Sequence, residues 1–345
     1  VSEWLTDFGM FVAQLVTLVV IGGLVVLVIT RAKSEVGDRT RLRLEEFNAR
    51  RRHRRRRLTL AASAPGARKR LLKGFRRDDK ARDKHHESDA AAGPTVWVLD
   101  FQGDLKASAT GRLAEEVSAV LDAAREGDEV VVRLESAGGL VHAYGLAAAE
   151  MDRLRQAGLR TTVCVDKVAA SGGYLMACCA DQLRAAPFAV LGSIGVVAQL
   201  PNVHRLLKRH DIDVEVLTAG RYKRTLTVFG ENTPEGRDKF LDDLETVHGL
   251  FKNYVAERRS DLDIEAVATG EVWYGRDALD RGLVDALGTS EAYLVERMKE
   301  ARVIGLRLER HLSLGERLGL MVTRVVERGV EHGLELLDAS RWQKR

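Results

Sequence analysis

Three cysteines in 345 residues, Cys164, Cys178 and Cys179, are too few and of the wrong parity for a disulfide framework. Each sits among apolar neighbours and reads as a small buried hydrophobe, an arrangement compatible with a reducing compartment. Basic residues are missing ahead of the first long apolar run: "VSEWLTDFG" carries Glu3 and Asp7 but no Lys or Arg. No small-x-small cleavage site follows that run, where Thr30-Arg31-Ala32-Lys33 stands instead. From these features a retained segment is expected here in place of an ordinary cleaved signal peptide. No turn has the G-x-G-x-x-G spacing of a dinucleotide fingerprint. His85-His86 has no companion ligands nearby, so no metal site is expected, and no cofactor is implied.

The apolar run itself, Met10 to Ile29, reads "MFVAQLVTLVVIGGLVVLVI". Twenty uncharged residues make a helix of about 30 Å, the thickness of a bilayer core, so 10–29 is expected to be a retained transmembrane helix after a short segment, 1–9. Arg31, Lys33, Arg39, Arg41 and Arg43 follow it closely. The positive-inside rule then puts everything after Ile29 in the cytoplasm, on a single-pass protein of the cell (inner) membrane.

Charge is unevenly spread. The chain has a net charge of +4, but residues 31–92 hold 21 Lys+Arg against 9 Asp+Glu, a net of +12. The remainder is therefore mildly acidic, which argues against nucleic acid as a substrate of the globular part. The basic arm, 30–93, contains "RRHRRRR" and "RKRLLKGFRR". Placed directly after a membrane span, it is expected to meet anionic lipid rather than nucleic acid, and to be partly helical or disordered.

Beyond Pro94 apolar strands alternate with helices: "TVWVLDF", a helix over 110–125, "EVVVRLES", a helix over 141–158, "RTTVCVD", then a helix opening at Ser171. That pattern predicts an α/β domain with a largely parallel sheet. Sites in such sheets gather at the carboxyl ends of strands, where "ESAGG" and "AASGG" fall. Ser171 in the second turn reads either as a helix N-cap or as a nucleophile at a helix N-terminus. Glycine lets backbone N–H groups approach an oxyanion, so Gly138 and Gly172 are the candidate donors. A serine needs a base. His142, His204, His210 and His248 offer none that stands out. Lys223, in "TAGRYKRTLTVFGENTPEG" after a predicted strand "DVEVL", could serve if its amine were desolvated, with Ser193 of "LGSIGVV" holding it.

These segments together resemble the signal peptide peptidase A (SppA-like) serine peptidases, and most closely their SohB subgroup. "AASGGY" matches the nucleophile motif, "LGSIGV" the serine that contacts the lysine, "TAGRYKR…FGENTPEGR" the lysine loop, and "GEVWYGRDALDRGLVDALG" a late tryptophan–glycine segment. One motif departs: the family usually carries Ser-Pro-Gly-Gly where this chain has Ser136-Ala137-Gly138-Gly139. The resemblance implies a ClpP/crotonase-like α/β domain over 94–301, preceded by the transmembrane helix and followed by an amphipathic tail, 302–345. It implies a serine endopeptidase with a Ser171–Lys223 dyad, an oxyanion hole at Gly138 and Gly172, and Ser193 orienting the lysine. It further implies a homo-oligomer with the dyad assembled at subunit contacts, from one chain or from two neighbours, and apolar, extended peptide substrates. Two other readings remain: a non-peptidase crotonase-like acyl enzyme, and an inactive membrane scaffold. Members of the wider family also act on the outer side of the membrane, which keeps a periplasmic placement as the alternative.

Overall fold

The computed structural model describes residues 40–88 and 93–310. The expected transmembrane helix 10–29 lies outside them, and so does the tail expected over 302–345 except for Arg302–Arg310, which is a strand of the main sheet and not an amphipathic tail. Among the described residues no helix is long and apolar enough to cross a membrane. The chain divides into two compact units, Leu44–Arg307 and a second made of Val1–Arg43 with Leu308–Arg345. In the second, Arg43 pairs with Glu309 at 2.8 Å. The site and its supports belong to the first.

The described elements, in order, begin with β1 (Thr40–Glu46), α1 (Phe47–Ala61), α2 (Pro65–Ser88), β2 (Thr95–Gln102), α3 (Thr110–Ala123), β3 (Glu129–Glu135) and α4 (Val141–Gln156). They continue with β4 (Arg160–Val165), β5 (Val168–Ala170), α5 (Gly172–Ala177), β6 (Gln182–Ala185), β7 (Val190–Gly192) and α6 (His204–Arg209). The last are α7 (Pro234–Arg258), α8 (Ile264–Val267), β8 (Val272–Tyr274), α9 (Gly275–Asp280), β9 (Ala286–Leu287), α10 (Ser290–Arg297) and β10 (Arg302–Arg310). The fold is mixed α/β. Its main sheet runs β1-β10-β2-β3-β4-β6-β9, and the pairs from β10 to β9 are parallel. A second sheet, β5-β7-β8, has two parallel strands and one antiparallel.

The strand sequences explain this layering. Val130, Val131 and Val132 are all buried, as a parallel strand covered on both faces requires. Val130 and Val132 face a core built with Leu113 and Val117 of α3, Met151 and Leu154 of α4, and Met176 of α5. Val131 faces the other way, into a smaller core with Phe47, Cys164, Tyr293, Leu294 and Val303. Each such aliphatic side chain contributes about 1.5–3 kcal/mol on full burial. The three cysteines are buried and unpaired, and burial pushes the Cys164 thiol up to about 12. They pack as hydrophobes.

The basic arm, expected to be partly helical or disordered, holds a strand followed by two helices, and the compact unit begins at Leu44, ahead of the domain start expected at Pro94. Phe47 anchors α1 by filling the second core against Gly305, where a Cβ would collide with its ring. Asn48 then donates to the carbonyls of Met298 and Ala301 and accepts from the N–H of Val303. "DVEVL", by contrast, forms no strand. Val214, Val216 and Leu217 are exposed, and among the described residues no strand pairs with this β-prone stretch.

Candidate active site

The site is assembled where the two sheets meet. Beyond the end of β3, the N–H of Ser136 donates to the carbonyl of Val168, and Ala170 returns the bond to Ser136 O at 3.0 Å. β5 pairs with β7 up to Ala170 opposite Gly192. One residue later the N–H of Ser171 donates to Gly192 O at 2.8 Å. Three turns, at Ser136–Gly139, Ser171 and Gly192–Ser193, are thus tied together by backbone hydrogen bonds.

Ser171 sits at φ 52° and ψ −122°. A non-glycine residue held there stores about 1–3 kcal/mol of strain. The same bonds over-determine it, since Ser171 O also accepts from the N–H groups of Tyr174 and Leu175. Its hydroxyl caps nothing: α5 begins without a side-chain cap bond. The N-cap reading therefore fails at the level of geometry. Gly172 and Gly173 occupy the first turn of α5, where a helix leaves its N–H groups without intrahelical acceptors.

Gly138, at φ 89°, lies against this turn. A Cβ there would stand 2.8 Å from the Ala170 carbonyl oxygen, Gly172 N and Ser171 Cβ, so only glycine fits. Its N–H donates to Ser136 Oγ at 3.1 Å. Ser136 Oγ in turn lies 2.6 Å from the Tyr144 hydroxyl, which donates to the carbonyl of Asp104 at 2.8 Å. The Tyr144 ring lies directly under Gly172, where any side chain would overlap it. Burial is the main reason the Tyr144 phenol titrates above its ordinary range, so it stays neutral.

Beside Ser171 and Gly172 opens a cavity of about 210 Å³. Its lining is almost wholly apolar: Val141 and Gly145 from α4, Leu175 from α5, Val196, and Val247, Leu250, Phe251 and Tyr254 from α7. Tyr254 is held in the wall from behind. Its hydroxyl donates to Asp152 Oδ2 at 2.7 Å, and Arg258 pairs with the same carboxylate. Burial pulls the Asp152 carboxyl up, but the bonds from Arg258 and Tyr254 outweigh it and hold Asp152 below the usual carboxylate range.

Ser193 follows Gly192 with φ 50°, its N–H bonded to Glu271 O at 2.6 Å. The late tryptophan segment explains this turn: Trp273 pairs with Leu191 across β7–β8, and its ring fills the space a side chain at Gly192 would need. Ser171 and Ser193 are therefore brought to adjacent turns. Lys223 is not joined to them. It lies exposed in an irregular segment before α7, its N–H bonded to Gly220 O, and its amine has no hydrogen-bond or ion-pair partner among the described residues. His142 and His210 are exposed, and His204 and His248 are half-buried. None is hydrogen-bonded to Ser171. Among the described residues, no cluster of His, Cys, Asp and Glu could hold a metal ion.

The sequence missed Tyr144, Asp152 and Arg258. Their signals were weak: a tyrosine one turn into a helix, and an Asp and an Arg in unrelated helices.

Comparison with known proteins adds a lineage to this geometry. The family model "Peptidase family S49" matches residues 153–304, and "Peptidase family S49 N-terminal" matches residues 3–151. "Probable protease SohB" of Haemophilus influenzae is 56% identical over 224 residues, covering 65% of this chain and 64% of that protein. Its namesake in Buchnera aphidicola subsp. Acyrthosiphon pisum is 52% identical over 228 residues, covering 66% and 68%. "Serine protease SPPA, chloroplastic" of Arabidopsis thaliana is 31% identical over 209 residues, covering 59% of this chain and 31% of that protein. The chain thus spans about two thirds of the length of the two bacterial relatives.

Proposed function

The chain belongs to peptidase family S49 and to its SohB-like members, and on that premise we propose that it is a membrane-anchored serine endopeptidase of ClpP/crotonase-like fold. Ser171 is the nucleophile and Lys223 the base. Its substrates are apolar peptides in extended form, such as signal-peptide remnants or membrane-protein fragments. The observation that carries this reading is the placement of Ser171: strained, uncapped, at a glycine-lined turn, and open to an apolar cavity of about 210 Å³. Such a cavity seats a hydrophobic side chain beside the scissile bond.

In this mechanism neutral Lys223 takes the proton of Ser171 Oγ, and Ser171 attacks the peptide carbonyl. The oxyanion is held by the N–H of Gly172 and by that of Gly138, which exchanges Ser136 Oγ for the substrate oxygen. Lys223 then protonates the leaving amine and deprotonates the water that releases the acyl group. Ser193 orients the amine.

Lys223 must lose solvent to be neutral, and in one chain it is exposed. Its surroundings supply a reason. Val216, Leu217, Tyr222 and Phe229 are exposed large hydrophobic side chains in the same segment, an uncovered apolar surface of the kind that marks subunit contacts. We place a second copy of the chain there, so that the dyad is completed in a homo-oligomer. Residues 10–29 anchor the protein in the inner membrane, with the catalytic unit in the cytoplasm. A reporter fused after residue 92 that works only outside the cytoplasm would reverse that orientation.

The deciding experiment is hydrolysis of a quenched apolar peptide by detergent-purified protein, with Ser171→Ala and Lys223→Ala in parallel. Loss of activity in both variants is expected. Equal turnover by all three proteins would remove the dyad.

A further inference from the structure

Helices α1 and α2 are unused by the catalytic reading, yet they carry the densest charge in the chain. Residues 50–57 hold seven arginines and one histidine, without an acid. In a helix this places like charges at i,i+3 and i,i+4, which destabilises it unless counter-charges are near. Some are. Arg50 pairs with Glu45, and Arg56 makes a double hydrogen bond to Asp79 of α2 while stacking on Phe75. The Arg56 contacts fasten α1 to α2, and Phe47 and Asn48 fix the base of α1 to the domain. The result is a fixed helical hairpin. Arg54, Arg55 and Arg57 have no acidic partner among the described residues, nor do Lys69, Arg70 and Lys73 on α2; all six are exposed.

Two large apolar side chains stand out among these cations. Leu58 is 72% exposed and Leu72 46%. Arginine and lysine stems with intervening leucines suit the boundary between headgroups and acyl chains, where the apolar group enters and the cations stay at the phosphates. A nucleic-acid backbone offers those leucines nothing. The hairpin also starts within about 20 residues of the apolar run ending at Ile29, at most about 70 Å of extended chain.

We propose that the hairpin α1–α2 is a docking surface for anionic lipid headgroups, which holds the catalytic unit at a fixed height over an acidic bilayer. It rests on the reading of 10–29 as a membrane anchor, and it adds a lipid requirement that the anchor alone does not have.

The test uses the full chain in nanodiscs of phosphatidylcholine alone, or with a third of phosphatidylglycerol. Amide hydrogen exchange is followed over residues 47–81. The expected result is roughly tenfold slower exchange of the hairpin in the anionic discs only, lost in about 0.5 M salt. It should also be lost in the triple variant Arg54→Glu, Arg55→Glu, Arg57→Glu, with peptide hydrolysis kept within about twofold, because these residues lie outside the site. Equal exchange in both discs overturns the proposal. So does protection by a short DNA duplex but not by phosphatidylglycerol. A chain that fails to enter phosphatidylcholine discs at all refutes the anchor instead. The hairpin is then read by pelleting with vesicles, where binding to phosphatidylglycerol but not to phosphatidylcholine sustains the proposal and indifference to lipid charge removes it.

Discussion

The hydroxyls of Ser136 and Tyr144 lie 2.6 Å apart, and through them the two turns proposed to face the substrate carbonyl share one support. The Tyr144 ring carries Gly172, and its hydroxyl holds the serine that accepts from Gly138 N–H. In the proposed mechanism Tyr144 is thus a positioning residue: it touches the turns and not the reacting atoms.

Tyr144→Phe keeps the ring under Gly172 and removes only the hydroxyl. Ser136 then loses a fixed partner, and the Gly138 N–H loses its preset direction. We expect kcat to fall about 10-fold, a share of the roughly 100–1,000-fold a whole oxyanion donor provides, with KM within about twofold. The stability cost should be about 1–3 kcal/mol, because the buried Ser136 hydroxyl is left without its Tyr144 partner. Steady-state kinetics beside thermal unfolding separates the two. A variant that is less stable but keeps its kcat would show that Tyr144 only packs.

Gly138→Ala tests the close approach itself. The alanine Cβ would meet three atoms at 2.8 Å and would need a φ of 89°. The chain must shift the turn, and that turn holds a proposed oxyanion donor. Turnover should fall by at least about 100-fold, while far-UV dichroism still reports a folded protein. Unimpaired turnover would move the oxyanion hole away from Gly138.

Much of this was legible beforehand. The alternation of apolar strands and helices gave the parallel sheet. Ser171, Gly138 and Gly172 stood out locally as candidates, but a serine before two glycines at a strand end reads as a helix N-cap as well as a nucleophile, and the resemblance decided between the two. Other features were closed to such reading. Residues 50–57 are polar on every side, so no apolar periodicity marks α1 as a helix. The three-residue strands β5, β7 and β8 are too short to show a pattern. The cavity draws Val141, Leu175, Val196 and Phe251 from separate segments, and nothing local says that they converge. The choice of Lys223 rests on the resemblance, and a single chain leaves its amine in solvent.

Asp152 gives the pH dependence. Burial raises its pKa, but Arg258 and Tyr254 hydrogen bonds lower it further, leaving a depressed folded value. A depressed carboxylate contributes its stability above the unfolded pKa and loses it as pH falls through the folded one. Denaturant midpoints should therefore drop below about pH 4. Asp152→Asn should cost about 2 kcal/mol at pH 7, with the gap to the parent narrowing toward pH 3. Because Tyr254 lines the cavity, the same variant should raise KM for apolar peptides more than it lowers kcat. A gap that stays constant from pH 7 to pH 3 would mean that Asp152 contributes no charge-linked stability.

The exposed Lys223 and the uncovered apolar segment around it make a last prediction about assembly. If Ser171 and Lys223 of one site come from different chains, two dead variants can repair each other. Ser171→Ala subunits still supply lysine, and Lys223→Ala subunits still supply serine. Mixed in equal amounts and allowed to exchange, they form sites at random in a closed symmetric ring, and about a quarter of the sites receive both groups. Activity should then recover from near zero to about a quarter of the parent's. A dyad formed within one chain gives no recovery at any mixing ratio, since every chain lacks one member. Recovery must also follow subunit exchange: cross-linking each variant before mixing should block it, and dilution to monomers should silence the parent itself. A parent that keeps full turnover as a monomer would place Lys223 beside Ser171 in one chain, and the segment before α7 would have to fold inward to bring it there.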